Sequence, residues 1–288
     1  MCELLGVSSS DPVRVTYSLH AFAEHGGLIH PNKSGWGIAY HEGKDALLIK
    51  EAEPASDSPW VRFIETQPLT STCVIAHVRY ASVGALSFSN THPFIRELGG
   101  RAHFFAHNGS LKGIWTEMPL QSDEFRPIGE TDSEYAFCVL LERLAVLWRG
   151  SSEKPPLSER LAIIAEAASA FRALGSANFL YSDGDVLFAH SHKRRWDEGG
   201  GSFSEPRAPG LSLSTGRNLS VKGLKVAAPH EKASVLYLAS VPLTSEGWTP
   251  VPEGTVLALK GGAEIARIDA HGQRTTARAT DRARPLSE

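Results

Sequence analysis

The sequence predicts an α+β fold built from stacked layers of sheet and helix. Strand-like and helix-like segments come in blocks along the 288 residues, without strict β-α alternation. That order favours stacked layers over a doubly wound parallel sheet. Two long amphipathic patterns follow each other between residues 131 and 175, and strand-like segments lie on both sides of them. Length alone leaves open one large domain or two small ones.

The predicted strands are short segments rich in β-branched, aromatic and other apolar residues. They are Trp36–Tyr40, Ala46–Glu51, Cys73–Tyr80, His103–His107, Asn178–Ser182, Val186–His190, Val235–Val241 and Thr255–Lys260. Residues 42–45 predict a turn between the first two, and Asp183-Gly184 predicts a hairpin. After His107, the pair Asn108-Gly109 is typical of a turn.

Three segments predict helices. Val15–His25 is followed by Gly26-Gly27, a good C-terminal stop. Thr131 and Glu134 form a capping-box pattern, in which Thr131 caps the helix and Glu134 reaches back. The third helix follows Pro155-Pro156 and ends before Gly175.

Two segments predict irregular structure. Residues 193–234 are rich in Gly, Ser, Pro and Arg and predict a long loop or lid, and residues 270–288 predict a frayed tail.

Composition narrows the choice of compartment and partners. A net charge of -3 gives no reason to expect a nucleic acid or an anionic membrane as partner, and no apolar run approaches the ~20 residues of a membrane span. The cysteines, Cys2, Cys73 and Cys138, are odd in number and have no CxxC spacing. That pattern argues against a disulfide framework or a cysteine zinc site. We therefore expect a cytoplasmic protein without a signal sequence.

Cys2 lies directly behind the initiator methionine. Removal of Met1 would leave a residue that carries both a thiol and a free α-amine. An α-amine has a pKa near ~7.7–8.0 and can act as a base at neutral pH, while a thiolate is a strong nucleophile. One residue would then supply nucleophile and base. Alone, the position favours the ordinary interpretation, in which Cys2 is a small buried hydrophobic residue that happens to follow the start of translation; the rest of the first half of the chain reverses that preference.

Five further segments concentrate residues suited to amide chemistry. They are Asn32–Gly37, His77–Ser82, Asn90–Phe94, Ala106–Ser110 and Gly129–Glu134. An arginine binds a carboxylate bidentately, a carboxylate binds an ammonium group, and an asparagine amide with a backbone N–H can stabilise an oxyanion. Together they suit a site that holds an amino acid by its charged ends. Each also has an ordinary structural interpretation, such as a surface Arg79 or a helix-capping Asp132.

These segments, with the opening Met-Cys-Glu-Leu-Leu-Gly, resemble the class II glutamine amidotransferases, which are N-terminal-nucleophile hydrolases. The likeness is greatest to the stand-alone, YafJ-type members. It covers nearly the whole chain and is strongest over residues 1–140. The resemblance implies a four-layer αββα sandwich, with one domain over residues 1–265 and a flexible tail over 266–288.

The resemblance also implies roles for individual residues. Cys2 becomes the mature N-terminus and the nucleophile, and Asn108 with the backbone of Gly109 forms the oxyanion hole. Arg79 binds the α-carboxylate of glutamine and Asp132 binds its α-ammonium. The remaining implied positions line the glutamine pocket or its closing loop: Tyr80, Ser82 and His92.

Three functions remain open at this point. The chain is a glutaminase that supplies ammonia to a separate synthase subunit, a hydrolase of another γ-glutamyl amide, or a module that binds glutamine without turnover. The presence of Cys2, Asn108 and Asp132 weighs against the third. No phosphate-loop motif occurs. His190-Ser191-His192 could suggest a metal, but strand-end histidines are more often structural, so we expect neither metal nor cofactor.

Overall fold

The computed structural model describes residues 2–17, 34–55, 58–79, 84–150, 153–199, 202–216, 218–221, 224–227, 230 and 232–276. Within these ranges the chain forms two large antiparallel sheets, one small hairpin and four helices. None of these helices is long and apolar enough to cross a membrane.

The first sheet has nine strands and places the N-terminal strand near its centre. The order is β15-β11-β14-β1-β4-β2-β3, and β13 pairs with both β1 and β12. The bounds are β1 Glu3–Tyr17, β2 Trp36–Glu42, β3 Asp45–Glu51, β4 Thr70–Val78, β11 Ser212–Thr215, β12 Asn218–Val221, β13 Leu224–Ala227, β14 Val235–Ala239 and β15 Thr249–Pro250. Because β1 lies between β4 and β14, its register is fixed from both sides.

The second sheet has seven strands in the order β18-β17-β16-β8-β7-β6-β5. The bounds are β5 Phe94–Glu97, β6 Ala102–Leu111, β7 Gly175–Ser182, β8 Leu187–His190, β16 Val256–Lys260, β17 Ala263–Ile268 and β18 Arg274–Thr276. A separate hairpin joins β9 Asp197–Gly199 to β10 Ser202–Phe203. The expected β7–β8 hairpin is confirmed.

The helices are α1 Pro59–Thr66, α2 Ile114–Glu117, α3 Asp132–Trp148 and α4 Leu157–Leu174. Thr131 caps α3, since its hydroxyl accepts the Glu134 N–H at 3.1 Å. The Glu134 side chain reaches back two residues beyond the cap and accepts the Gly129 N–H at 2.6 Å. The prediction of the cap is confirmed, although the second bond differs from that of an ordinary capping box.

Three apolar clusters separate four layers. Side chains alternate along a strand, so Leu4 of β1 points into the cluster between the sheets and Leu5 points into the cluster beneath α1. The third cluster lies between the second sheet and helices α3 and α4, where Phe105 stacks on Phe137 at 5.4 Å. The sequence of layers is α1, first sheet, second sheet, and α3 with α4, which confirms the αββα sandwich.

Some local predictions are wrong. Val15–Tyr17 belong to β1, not to a helix, and residues 18–33 lie outside the described ranges. Asn108-Gly109 lies inside β6, paired with Asn178 and Ala177 of β7, because cross-strand pairing outweighs the local turn preference.

The C-terminal half holds more strand than the sequence predicts. The stretch 193–234 contains β9–β13, three of which extend the first sheet. The second sheet continues past residue 266, where the tail was expected to begin. β17 runs to Ile268 and pairs with β18, and residues 277–288 are not described.

Candidate active site

The register of β1 brings Cys2 beside Arg79. Glu3 pairs with Val78 of β4, and β2 pairs with the same residue through Trp36. Cys2 and Arg79 are the next residues along their two strands, so the pairing places them at the same end of the sheet. Cys2 is partly exposed. The predicted nucleophile and the predicted carboxylate-binding group therefore lie together.

Arg79 is held by backbone on two sides. Its N–H donates to the Gly35 carbonyl at 2.8 Å, and its guanidinium donates to the carbonyls of Ala85 at 3.1 Å and of Gly84 and Ser34 at 3.4 Å. The residue is only 2% exposed. Burial lowers the pKa of the guanidinium, and the negative charge of an ionised Cys2 thiol opposes that shift. Charge on Cys2 and charge on Arg79 therefore stabilise each other.

Asn108 connects the second sheet to Cys2. Its side-chain amide donates a hydrogen bond to the backbone carbonyl of Cys2, across the gap between the two sheets. Gly109 follows on β6, and a Cβ atom there would lie 2.6 Å from the carbonyl carbon of Ser176 and closer still to its oxygen. Close approach of β7, not a positive φ, is what requires glycine at this position.

Asn178 is a site residue that sequence reasoning missed. It is fully buried on β7, opposite Asn108. Its amide donates to the carbonyls of Asn108 at 3.0 Å and Lys193 at 2.8 Å, and its oxygen accepts the His192 N–H at 2.7 Å. It thus fastens the segment after β8 to the strand that carries Asn108. Only one indication of this role is present in the sequence, a single asparagine at the start of the apolar strand predicted over Asn178–Ser182.

Asp132 is the first residue of α3 and contacts the end of β6. Its Oδ2 accepts the Leu111 N–H at 2.7 Å, and its Oδ1 lies 3.3 Å from the Ser133 hydroxyl oxygen. Ser133 Oγ also lies 2.8 Å from Nδ1 of the buried His107. Nε2 of His107 donates to the Ser176 carbonyl at 3.2 Å, since a carbonyl can only accept. This chain links the helix N-terminus to the backbone beside Gly109.

His92 is buried together with a second histidine. Its ring packs in tilted contact against His77 of β4, with ring centroids 4.1 Å apart, and against Phe94 at 4.4 Å. The ring nitrogens of His77 and His92 make no well-formed hydrogen bond with the described residues, although the backbone of His107 interacts with the His77 ring. Burial lowers the pKa of His77 to about 3 and that of His92 well below its usual value. Both rings are therefore neutral at physiological pH, and a role for His92 in the pocket stays a prediction.

The Asn90 side chain forms hydrogen bonds with two other loops near Arg79 and Asp132. Its amide donates to the Ala85 carbonyl at 3.0 Å, and its oxygen accepts the Glu130 N–H at 2.7 Å. The loop after Arg79 is thereby tied to the loop before Asp132. Tyr80 and Ser82 lie outside the described residues, so their predicted contacts with substrate stay predictions.

The other two thiols have protected surroundings. Burial raises the pKa of Cys73 to about 12 and that of Cys138 to about 11, so neither is ionised at neutral pH. Among the residues that the structure describes, no group of three or more His, Cys, Asp or Glu side chains is arranged to hold a metal ion.

Comparison with known proteins decides the family. The profile of the family described as "Glutamine amidotransferases class-II" matches residues 1–283. The chain belongs to this family. The glutamine amidotransferase homologue YafJ of Escherichia coli strain K12 is 35% identical over 257 residues, covering 88% of this chain and 95% of that protein.

Solved structures agree with this assignment. A glutamine amidotransferase structure from Pseudomonas aeruginosa is similar with a TM-score of 0.66 at 35% identity, covering 92% of this chain and all of that one. The PRPP amidotransferase of B. subtilis is similar with a TM-score of 0.52 at 16% identity, a likeness of fold alone. This chain covers 49% of that protein. The predicted family and its N-terminal-nucleophile hydrolase fold are confirmed.

Proposed function

We propose that the protein hydrolyses the side-chain amide of glutamine or of another γ-glutamyl amide, with Cys2 as nucleophile once Met1 is removed. The observation that carries this proposal is the hydrogen bond from the Asn108 amide to the Cys2 carbonyl. It holds an oxyanion donor beside the residue whose thiol would attack. An amide has a second N–H, which can turn to the oxygen of a tetrahedral intermediate.

In this mechanism the free α-amine of Cys2 accepts the thiol proton, and the thiolate attacks the amide carbonyl. The tetrahedral intermediate collapses with loss of ammonia or an amine, which takes up the proton, and leaves a γ-glutamyl thioester. Water then hydrolyses the thioester and releases glutamate. Asn108 and the Gly109 backbone N–H stabilise the oxyanion in both steps.

Substrate binding would use the two charged groups beside this centre. Arg79 is oriented by backbone carbonyls and interacts electrostatically with Cys2, which supports its role with the α-carboxylate. Asp132 at the start of α3 would accept the α-ammonium. Tyr80, Ser82 and His92 complete the proposed pocket.

The test is glutamate release by purified protein whose intact mass shows loss of Met1. A lysine inserted between Met1 and Cys2 would block methionine removal and take the amine away from the cysteine, so we expect activity to vanish. Cys2→Ala should also be inactive while still binding substrate. Full activity in the lysine-insertion protein would contradict the self-base mechanism.

The choice between glutamine and a larger amide depends on the segment after β8. Arg194 lies beneath Trp196 at 4.7 Å, and Arg207 contacts the same ring at 5.5 Å. Asn178 fastens the start of this segment to the strand of Asn108. We propose that these side chains select the leaving amine, because loops on a rigid sheet vary without disturbing the core.

Trp196→Ala, assayed on glutamine and on several γ-glutamyl amides, tests this selection. We expect the rates on substituted amides to fall more than the rate on glutamine. Equal losses on every substrate would show that this segment does not select the leaving amine.

Release of ammonia to a separate synthase chain in the cytoplasm is the alternative function, and it predicts that a partner stimulates glutaminase activity.

A further inference from the structure

A cavity lies between the two sheets, away from Cys2. It has a volume of about 410 Å³ and is lined by residues of β1 and β4, such as Ser8 and Cys73, and by the β7–β8 turn at Gly184. Six residues of extended strand separate Cys2 from Ser8, which corresponds to roughly 20 Å. Nothing in the proposed hydrolysis uses this cavity.

His41 on β2 lines the cavity and is only 7% exposed. The Cys73 thiol donates to Ser182 Oγ at 3.4 Å, and Ser182 Oγ lies 2.8 Å from His41 Nε2. Burial raises the pKa of Cys73 and lowers that of His41 to about 4, so the thiol is protonated and the ring is neutral. Ser182 Oγ also accepts the Gly184 N–H at 3.4 Å, so both of its lone pairs are occupied. Its one proton is then donated to Nε2, and His41 carries its own proton on Nδ1.

The Nδ1–H of His41 makes no well-formed hydrogen bond with a described residue, and the backbone acceptor that interacts with the ring is the Asp45 carbonyl. The ring cannot turn away, because it stacks on Phe104 at 3.9 Å while Ser182 holds its other nitrogen. A buried donor without a well-formed hydrogen bond is unfavourable. This position therefore calls for a ligand that accepts a hydrogen bond.

The rim of the cavity is cationic. Lys154 and Lys260 both reach Asp185 Oδ1, at 2.5 and 2.8 Å, and each ammonium-bearing side chain is about half exposed. Beneath them Arg160 pairs with Asp183 at 2.5 Å and with Asp185 at 3.0 Å. Three cations thus face two carboxylates, which leaves one net positive charge at the mouth.

We propose that this cavity binds a small oxyanion with two negative charges, such as a phosphate group or a dicarboxylate. Lys154 and Lys260 provide the charged contacts and His41 Nδ1 donates from within. Ser8 adds a hydroxyl group on the β1 side. The cavity volume lies within the ~300–1,000 Å³ that is typical of small-molecule sites. The whole chain has a net charge of -3 and therefore little general affinity for anions, so binding of an anion would depend on the local cationic groups.

The test is calorimetric titration of the full chain with inorganic phosphate, succinate and acetate at constant ionic strength. We expect saturable binding of phosphate or succinate, the preferred one identifying the ligand class, and weaker binding of acetate. The double variant Lys154→Gln/Lys260→Gln should lose at least about tenfold in affinity, since two charge-assisted hydrogen bonds are removed. Lys112→Gln, an exposed lysine elsewhere, is the matched control.

Asp185→Asn is the sharper variant. It removes the carboxylate that competes for both lysines, so anion affinity should rise several-fold, a gain that a purely structural lysine pair would not give. His41→Phe keeps the stacked ring and should weaken binding, with circular dichroism to confirm folding. Absence of saturable binding, or an equal loss in the Lys112 control, would overturn the proposal.

The outcome is separable from the proposed hydrolysis. Without added anion, the lysine variants should release glutamate at the rate of the unchanged protein, because the cavity lies roughly 20 Å from Cys2 along β1. Anion binding without any glutamate release would refute the hydrolase proposal alone.

Discussion

Gly109→Ala tests whether close strand packing positions the oxyanion hole. The new Cβ would lie 2.6 Å from the Ser176 carbonyl carbon and closer to its oxygen, both of which are backbone atoms. An ordinary contact needs about 3.4 Å or more, so β6 and β7 must separate where Asn108 pairs with Asn178. Overpacking of this kind costs roughly 1–3 kcal/mol.

The expected result is a lower melting temperature and a large loss of activity. A cost of that size corresponds to a fall of about 2–12 °C, at roughly 2–4 °C per kcal/mol for a large domain. Glutamate release should drop by ~10²–10³, as expected when an oxyanion donor is displaced. Differential scanning fluorimetry and a coupled glutamate assay measure the two effects.

Gly216→Ala is the matched control. No atom lies within 4 Å of a Cβ built at Gly216, and its φ is not in the positive range. We expect its stability and activity to stay within experimental error of the unchanged protein. If Gly109→Ala behaves like this control, the close approach of β7 does not govern the site and the reasoning is wrong.

Three further predictions follow from buried groups. Asn178→Ala leaves two carbonyls and one N–H without their partner and should cost roughly 2–4 kcal/mol in urea unfolding. A loss below about 0.5 kcal/mol, the size of an ordinary surface substitution, would contradict it. A diazo-ketone glutamine analogue should label Cys2 and spare Cys73, whose raised pKa keeps it protonated; peptide mass spectrometry decides. His77 and His92 have lowered pKa values when folded, so the unfolded state binds more protons below pH ~6.5 and stability falls as pH falls towards 3. His77→Phe should flatten that acid slope in unfolding titrations, and an unchanged slope would refute it.

The layers were predictable because long amphipathic helices and apolar strands carry strong periodic signals. Thr131 and Pro155-Pro156 marked the starts of α3 and α4 correctly. The strands between residues 193 and 234 were missed because several have only four residues, as in Ser212–Thr215. Pairing with β14, which lies more than twenty residues further on, stabilises that strand, and no local pattern reports such a partner.

The candidate site was predictable only in part. The resemblance identified Cys2, Arg79, Asn108 and Asp132, and the structure then placed Cys2 beside Arg79 and Asn108 through strand register. Asn178 could not be identified from its neighbours in sequence, since its three partners come from β6 and from the segment after β8. A residue whose partners come from other segments of the chain cannot be recognised from its local sequence alone.

The hydrogen bond between Asn108 and Cys2 joins the two sheets, so the proposed mechanism makes their spacing a determinant of rate. The proposed nucleophile belongs to one sheet and the proposed oxyanion donor to the other. The apolar layer between them, which includes Leu4, Phe104 and Leu180, would then set the distance over which attack occurs. If this mechanism holds, substitutions deep in the layer change turnover without touching substrate, and the volume of the hydrophobic core offers a way to tune the reaction.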